Sequence, residues 1–396
     1  MMATRTRPPA EAATRPGISN RLVTVDVFRG LALAFMAVAH CAYLMGVNLV
    51  AERFDSDVPF RITSWTEFVL ALLGNPCAIM LWSSAGMAIA LFERGRRAVG
   101  VPERTILARL LARPLVLLAV AVFVIPPLWA VKGHAAAYTF DILSCLAVSM
   151  IFMAFLRNVP TGALLAGTLA LLAAMPAIRQ ALPLDPAQPH AFWSAVWLHF
   201  SLKTQPQIWY PILPWLPVMV LGYVLGRWAR PETLERAEPW RNAALATFAL
   251  AVVFRFGGAY FNLVPELPLP AWPRLVILCR QPPSLTYLAW NCALAMLMYS
   301  GIAALASRAA HGGAGARVPG ALLAPLNAIG REPLVFFMTH FAVFQVLTRQ
   351  AKRFPGGEPV WRMLVIASIG IVVLFVTCRA FGRLRERYPR SILRYL

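Results

Sequence analysis

The chain has 396 residues, of which 59% are hydrophobic and 14% are charged, and its formal net charge is +20. Soluble domains are about half apolar, so this composition excludes a soluble globular protein as the main interpretation. The positive charge could suggest nucleic-acid binding. The arginines, however, lie in short segments between apolar runs, which is typical of membrane-protein loops, and no nucleic-acid partner is expected.

Apolar stretches long enough to cross a lipid bilayer recur along the chain. A helical span needs about 20 predominantly apolar residues, and strand-like alternation is absent from these stretches. The sequence therefore predicts an all-α, polytopic membrane protein with about ten transmembrane helices. The predicted spans are 24–47, 65–92, 110–130, 137–156, 159–177, 208–228, 241–262, 285–307, 322–348 and 359–381.

Arginine-rich segments precede the first span and follow every second span. The positive-inside rule assigns these segments to the cytoplasm, so both termini are predicted to be cytoplasmic. Arg349, Lys352 and Arg353 are an exception on the opposite side. No eukaryotic sorting segment is visible, and we expect a multi-pass protein of the bacterial inner membrane.

The chain is predicted to form one membrane domain, residues 21–385, because no internal repeat or second domain is visible. Residues 1–20 are rich in Arg, Pro and Ala and are predicted to be a disordered, basic cytoplasmic tail. Residues 386–396 are predicted to be a C-terminal cytoplasmic tail.

The first predicted span carries three ionisable residues, which are costly in lipid and are therefore candidates for function. Arg29 and His40 are eleven positions apart, which is about 16 Å of helix rise on one face. Arg29 should lie near the cytoplasmic leaflet, where it suits a phosphate-bearing ligand. His40 should lie deeper, where it suits proton or acyl transfer. The alternative for Asp26 and Arg29 is a structural i, i+3 pair that reaches the headgroups.

The ninth predicted span repeats this order of residues. Arg331 and Glu332 come early in the span, and His340 follows nine positions after Arg331. The pattern predicts two arginines at the inner level and two histidines further out. The alternative for His340 is a hydrogen-bonded packing role.

Further polar residues are predicted at the outer level, near His40, from the direction of their spans. They are Glu67, Asp141, Arg255 and Asn291. Asp141 is the first choice for a carboxylate that orients His40. The alternative is that Asp141 pairs with Arg255 and holds helices together. No sequence motif for a metal, ATP or a dinucleotide is present.

Three segments occur in order along the chain: R-L-V-T-V-D-V-F-R-G-L-A-L-A-F-M-A-V-A-H (21–40), I-L-P-W-L-P-V-M-V-L-G-Y-V-L-G (212–226) and I-G-R-E-P-L-V-F-F-M-T-H (329–340). Together they resemble the bacterial heparan-alpha-glucosaminide N-acetyltransferase-like membrane proteins. The first is also similar to the wider membrane acyltransferases that acylate envelope sugars. The resemblance implies transfer of an acyl group, expected to be acetyl, from cytosolic acyl-CoA to a hydroxyl or amine of a sugar or envelope glycan on the outer side.

Arg29 and His40 match the Arg-x10-His pair of those acyltransferases, and Arg331 and His340 match the later segment. We therefore expect Arg29 and Arg331 to bind acyl-CoA as a co-substrate, with no tightly bound cofactor. His40 is expected to be the general base or the acyl carrier. Glu332, between Arg331 and Pro333, departs from the family pattern.

The alternative function is a multi-span transporter or exporter, in which intramembrane Arg, Asp and His side chains form a path for the substrate. A pair of broken helices in two related halves would favour this alternative. No such repeat is visible in the sequence.

Overall fold

The computed structural model describes residues 22–47, 52–54, 64–130, 138–188, 190–263, 278–310, 317–351, 358–388 and 391. These residues form a bundle of α-helices with one small parallel sheet of two strands. The predicted tail at residues 1–20 lies outside the described residues, as do residues 389–390 and 392–396 of the predicted C-terminal tail.

The described helices and strands follow one another along the chain. Each predicted span contains at least one helix. In chain order the elements are α1 (Val23–Met45), β1 (Glu52–Phe54), α2 (Trp65–Gly74), α3 (Cys77–Ala98), α4 (Glu103–Phe123), α5 (Ile125–Ala130), α6 (Ile142–Leu156), α7 (Thr161–Ala181), α8 (Ala191–Leu198), α9 (Ile212–Trp228), α10 (Pro231–Leu234), α11 (Ala237–Phe256), α12 (Ala259–Asn262), β2 (Leu278–Gln281), α13 (Leu285–Ala310), α14 (Arg317–Arg331), α15 (Pro333–Ala351) and α16 (Pro359–Arg387).

The length and apolar character of the helices confirm an all-α, polytopic membrane fold. Among the described residues, six helical segments are long and apolar enough to cross a membrane, or seven if α14 and α15 count as one bent span. The helices α6 and α9 are apolar but shorter. The number of ten spans and their orientation stay predictions.

The ninth predicted span, 322–348, consists of parts of two helices in the structure. The helix α14 ends at Arg331, α15 begins at Pro333, and the two are bent by 96°. Proline has no N–H and suits the first turn of a helix, which explains why a new helix starts there. Glu332, at the bend, is buried, and its two carboxylate oxygens lie 2.6 Å from the guanidinium nitrogens of Arg385 in α16.

The helix α14 crosses α1 at very short range. A Cβ on Gly330 would lie 1.7 Å from the carbonyl oxygen of Asp26, and a Cβ on Gly30 would lie 1.9 Å from that of Leu326. Only glycine allows two helix backbones to approach this closely. The crossing therefore places the bend beside the first turns of α1.

We call the end of the bundle at which α3, α6 and α9 terminate the basic end. It contains a network of buried and half-exposed ion pairs. We call this network the closed cluster; it consists of Glu93, Arg97, Glu103, Arg157 and Tyr223. Glu93 accepts hydrogen bonds from Tyr223 at 2.5 Å and from Arg157 at 3.4 Å, and Arg97 donates to Glu103 at 2.7 Å. Arg157 also donates to Glu103. The cluster ties the ends of α3, α6 and α9 to the start of α4.

Candidate active site

His40 of α1 and His340 of α15 form a hydrogen-bonded pair. The Nδ1 atom of His40 lies 2.8 Å from Nε2 of His340, and the two rings are stacked with their centroids 5.0 Å apart. His340 is fully buried, whereas His40 is partly exposed. The ring of Phe341 also stacks on that of His40, and their centroids are 4.7 Å apart. The structure thus brings together the two histidines that the sequence placed at one level.

The hydrogen bonds of this pair define its tautomers. Nδ1 of His340 lies 2.6 Å from the carbonyl oxygen of Phe337, and a carbonyl oxygen only accepts, so this Nδ1 carries the proton. Nε2 of a neutral His340 is then an acceptor, and Nδ1 of His40 must donate to it. The remaining nitrogen, Nε2 of His40, has a lone pair. That is the state a general base requires.

A cavity of about 510 Å³ lies between α1, α3, α4, α6 and α15. Its described lining combines four arginines with apolar walls and includes no carboxylate. The arginines are Arg29, Arg96, Arg109 and Arg113. The apolar residues include Leu33, Ile89, Leu117, Ile142, Leu143 and Phe337. Such a cavity suits a ligand with an anionic part and an apolar part.

The apolar wall of the cavity lies against the histidine pair. Phe337, which lines the cavity, binds His340 through its carbonyl group, and its ring centroid lies 5.3 Å from that of His340. Leu33 lies on the same face of α1 as His40, about two turns earlier. The cavity therefore reaches His340 through Phe337, and His340 is the hydrogen-bond partner of the candidate base His40.

Arg29 is fixed at the cavity wall by groups from three helices. It donates to Asp26 of α1 at 3.3 Å, to the carbonyl oxygen of Gly330 at 3.2 Å and to that of Ser84 in α3 at 3.2 Å. Asp26 and Arg29 thus form the i, i+3 pair that was the structural alternative. The guanidinium nevertheless borders the cavity, so the pair positions Arg29 there.

Arg331 does not line this cavity. Its Nη2 atom lies 3.3 Å from Glu386 in α16, and its side chain is 40% exposed. The bend after Arg331 explains the difference from the prediction, because it directs α14 away from the axis of α15. Arg331 and His340 are therefore on two differently directed helices.

Three of the arginines in the cavity, Arg96, Arg109 and Arg113, are not among the site residues predicted from the sequence. Arg109 and Arg113 are four positions apart and thus share a face of α4 with Leu117, which also lines the cavity. This spacing inside an apolar helix was the available signal.

Asp141 lies at the N-cap of α6 and does not contact His40. Its Oδ1 atom accepts hydrogen bonds from the backbone nitrogens of Leu143 at 3.0 Å and Ser144 at 3.1 Å, and from the hydroxyl of Ser144 at 3.2 Å. This is the ordinary role of an aspartate at a helix start. The position predicted for an orienting carboxylate is occupied by His340.

Two of the other polar residues predicted at this level, Glu67 and Arg255, are engaged elsewhere. Glu67 forms a capping box with Ser64 at the start of α2. Arg255 donates to Asn262 at 2.8 Å, so the alternative pair of Asp141 with Arg255 is not made. These contacts assign structural roles to the two side chains.

Comparison with known proteins identifies the family. The model of the heparan-alpha-glucosaminide N-acetyltransferase catalytic domain matches residues 21–257. The match includes Arg29, His40 and the segment 212–226, and it ends before the segment 329–340. No curated protein matches the chain significantly. Because the family model covers more than half of the chain and the helices are those of a membrane protein, this chain belongs to the heparan-alpha-glucosaminide N-acetyltransferase catalytic family of membrane acyltransferases.

Proposed function

We propose that this protein transfers an acetyl group from cytosolic acetyl-CoA to a hydroxyl or amine of a sugar or envelope glycan on the outer side of the bacterial inner membrane. The observation that carries the proposal is the His40–His340 pair against the apolar wall of an arginine-lined cavity. The family match supports an acetyl transfer to a glucosamine-type acceptor.

The cavity suits the two chemical parts of acyl-CoA. Its arginines suit the phosphate groups, since guanidinium groups bind phosphate through paired, charge-assisted hydrogen bonds. Its apolar walls suit the pantetheine arm and the acyl group. The positive-inside rule places the arginine-rich end in the cytosol, where acyl-CoA would bind.

The tautomers of the histidine pair suit general base catalysis. Nε2 of His40 removes the proton of the acceptor group, and the acceptor attacks the thioester carbonyl carbon. His340 accepts a hydrogen bond from Nδ1 of His40, which orients the ring and stabilises the imidazolium that forms. The thiolate of CoA then leaves and receives the proton from Nε2 of His40. In the alternative route, His40 itself accepts the acyl group and passes it to the sugar.

Substitution of His40 tests the proposal. In purified protein in nanodiscs, with acetyl-CoA and glucosamine as probes, His40→Ala should lower the rate of CoA release by about 100- to 10,000-fold. Acetyl-CoA binding and the unfolding temperature should be retained. His190→Ala is the matched control, because His190 is exposed and lies immediately before α8, and this variant should keep full activity. Full activity of His40→Ala would contradict the assignment.

Two further measurements separate the alternatives. A labelled acetyl group that stays on His40 after mixing with acetyl-CoA alone would indicate the covalent route. Thermal stabilisation by acetyl-CoA, and not by a charge-matched nucleotide that lacks the thioester arm, would favour the enzyme over a transporter. Equal stabilisation by both would favour the transporter.

A further inference from the structure

Phe337 of α15 belongs both to the cavity wall and to the surroundings of the histidine pair. Its side chain is part of the cavity lining. Its carbonyl oxygen lies 2.6 Å from Nδ1 of His340, and its ring packs edge-on against the His340 ring, with the centroids 5.3 Å apart and the planes at 65°. His340 in turn lies 2.8 Å from His40. Phe337 therefore joins the wall of the cavity to the candidate base through one intermediate ring.

The cavity is elongated, and its cationic part and its apolar part differ in position. On α3 the lining extends from Arg96 to Leu81, fifteen positions that correspond to about 22 Å of helix rise. On α1 the lining passes from Arg29 to Leu33, one turn closer to His40. In acyl-CoA the thioester is at the opposite end from the nucleotide phosphates. With its phosphate groups at the arginines, the co-substrate extends its acyl end along the apolar part.

The ring of Phe337 limits the space for that acyl end. The side chain is buried, with 7% of its surface exposed, and the His340 ring packs against it. Protein interiors are close-packed, so a ring held in this way does not give way at low cost. In an apolar pocket, one methylene more or less changes the discrimination between substrates by about 10- to 200-fold. A single phenyl ring at the acyl end is therefore sufficient to select the length of the chain.

We propose that the ring of Phe337 forms the wall of the acyl pocket and restricts the transferred group to acetyl. The inference rests on the proposed function and deepens it, because it names the residue that selects the acyl group. The reaction is unchanged: a bond forms between the thioester carbonyl carbon and the acceptor nitrogen or oxygen, the C–S bond breaks, and CoA leaves as the thiol. Phe337 transfers no proton and determines specificity alone.

The test compares wild-type protein with Phe337→Leu, using acetyl-CoA, propionyl-CoA and butyryl-CoA and measuring the release of CoA that depends on glucosamine. Leucine keeps the backbone carbonyl group that binds Nδ1 of His340 and removes the ring. The ratio of kcat/KM for butyryl-CoA to kcat/KM for acetyl-CoA should rise by about 10-fold or more. Phe337→Met, whose flexible side chain fills irregular gaps, is the second variant and should raise the same ratio.

Phe336→Leu is the matched control. Phe336 is fully buried and its ring centroid lies 6.0 Å from that of His340, but it is not part of the described cavity lining. This variant should change kcat for the three acyl groups by one common factor and keep the wild-type ratio. A wild-type ratio in both Phe337 variants, or an equal rise of the ratio in Phe336→Leu, would overturn the proposal. So would equal kcat/KM values of wild-type protein for acetyl-CoA and butyryl-CoA. The proposed function fails separately, if wild-type protein transfers no acetyl group.

Discussion

A buried arginine, Arg157, and a half-buried one, Arg29, have different surroundings. Arg157, in the closed cluster, forms ion pairs with Glu93 and Glu103 and borders no cavity among those described. Arg29 pairs with Asp26 at 3.3 Å and donates to the backbone carbonyl groups of Gly330 and Ser84. The first arginine is neutralised by its neighbours. The second is held at a cavity whose lining adds three more arginines and no carboxylate.

This difference separates a structural charge from one available to a ligand. A buried charge is retained when a partner compensates it, and the partner can be a protein side chain or a bound ligand. In the closed cluster the partner is part of the chain. At the cavity, the four arginines of the described lining, without a carboxylate among them, fit the anionic co-substrate of the proposed function.

The largest expected effect is on stability, in Arg157→Gln. This change leaves Glu93, which is 2% exposed, with the more exposed Arg97 at 3.6 Å as its remaining cationic partner, and the loss of a buried partner costs up to about 3–5 kcal/mol. We expect a corresponding decrease in the free energy of unfolding measured with denaturant. Activity per folded molecule should stay close to wild type. Arg97→Gln is the control, because Arg97 is 39% exposed and should contribute about 1 kcal/mol or less.

A second substitution, Arg29→Gln, is expected to weaken ligand binding more than it lowers stability. Arg29→Gln should raise the KM for acetyl-CoA by about 10- to 100-fold, since a hydrogen bond to a charged group contributes about 1.5–3 kcal/mol. The double variant Asp26→Asn with Arg29→Gln removes the unpaired carboxylate and should show the same KM with less loss of stability. A double variant with a wild-type KM would mean that Arg29 has only a structural role, as the partner of Asp26.

The part of the site within one helix was predictable from sequence. Arg29 and His40 share a face because the period of a single helix determines it. The sequence predicted that His40 and His340 lie at the same depth in the membrane. It did not predict the hydrogen bond between them. The bend at Glu332, which gives α15 its direction, was not predicted, because residues 322–348 were predicted to be one span.

The part of the site formed between helices was not predictable in this way. Asp141 and Glu67 were selected because of their depth, but both satisfy the backbone N–H groups of their own helix starts. Depth along the membrane does not define which side of a helix faces which neighbour. Local capping is a shorter-range interaction, and it determined the role of both carboxylates.

The smallest predicted effect distinguishes the cavity from the overall positive charge of this end. Arg109 lines the cavity, whereas Arg104, on the same helix, is exposed and does not. Arg109→Gln should raise the KM for acetyl-CoA by about 2- to 5-fold, which is the effect of about 1 kcal/mol or less at a partly exposed charge pair. Arg104→Gln should leave it unchanged.

The salt dependence gives this prediction its control. Attraction between exposed charges is screened within about 3 Å in 1 M salt, so an effect of long-range attraction should vanish there, while a direct contact inside the cavity should persist in part. If Arg104→Gln and Arg109→Gln raise the KM equally, and both effects vanish in salt, acyl-CoA responds to the net charge of the surface. Arg29 would then be the one arginine of the described lining still expected to contact the ligand directly. The other arginines of that lining would act only through the electrostatic field that they share with the rest of the basic end.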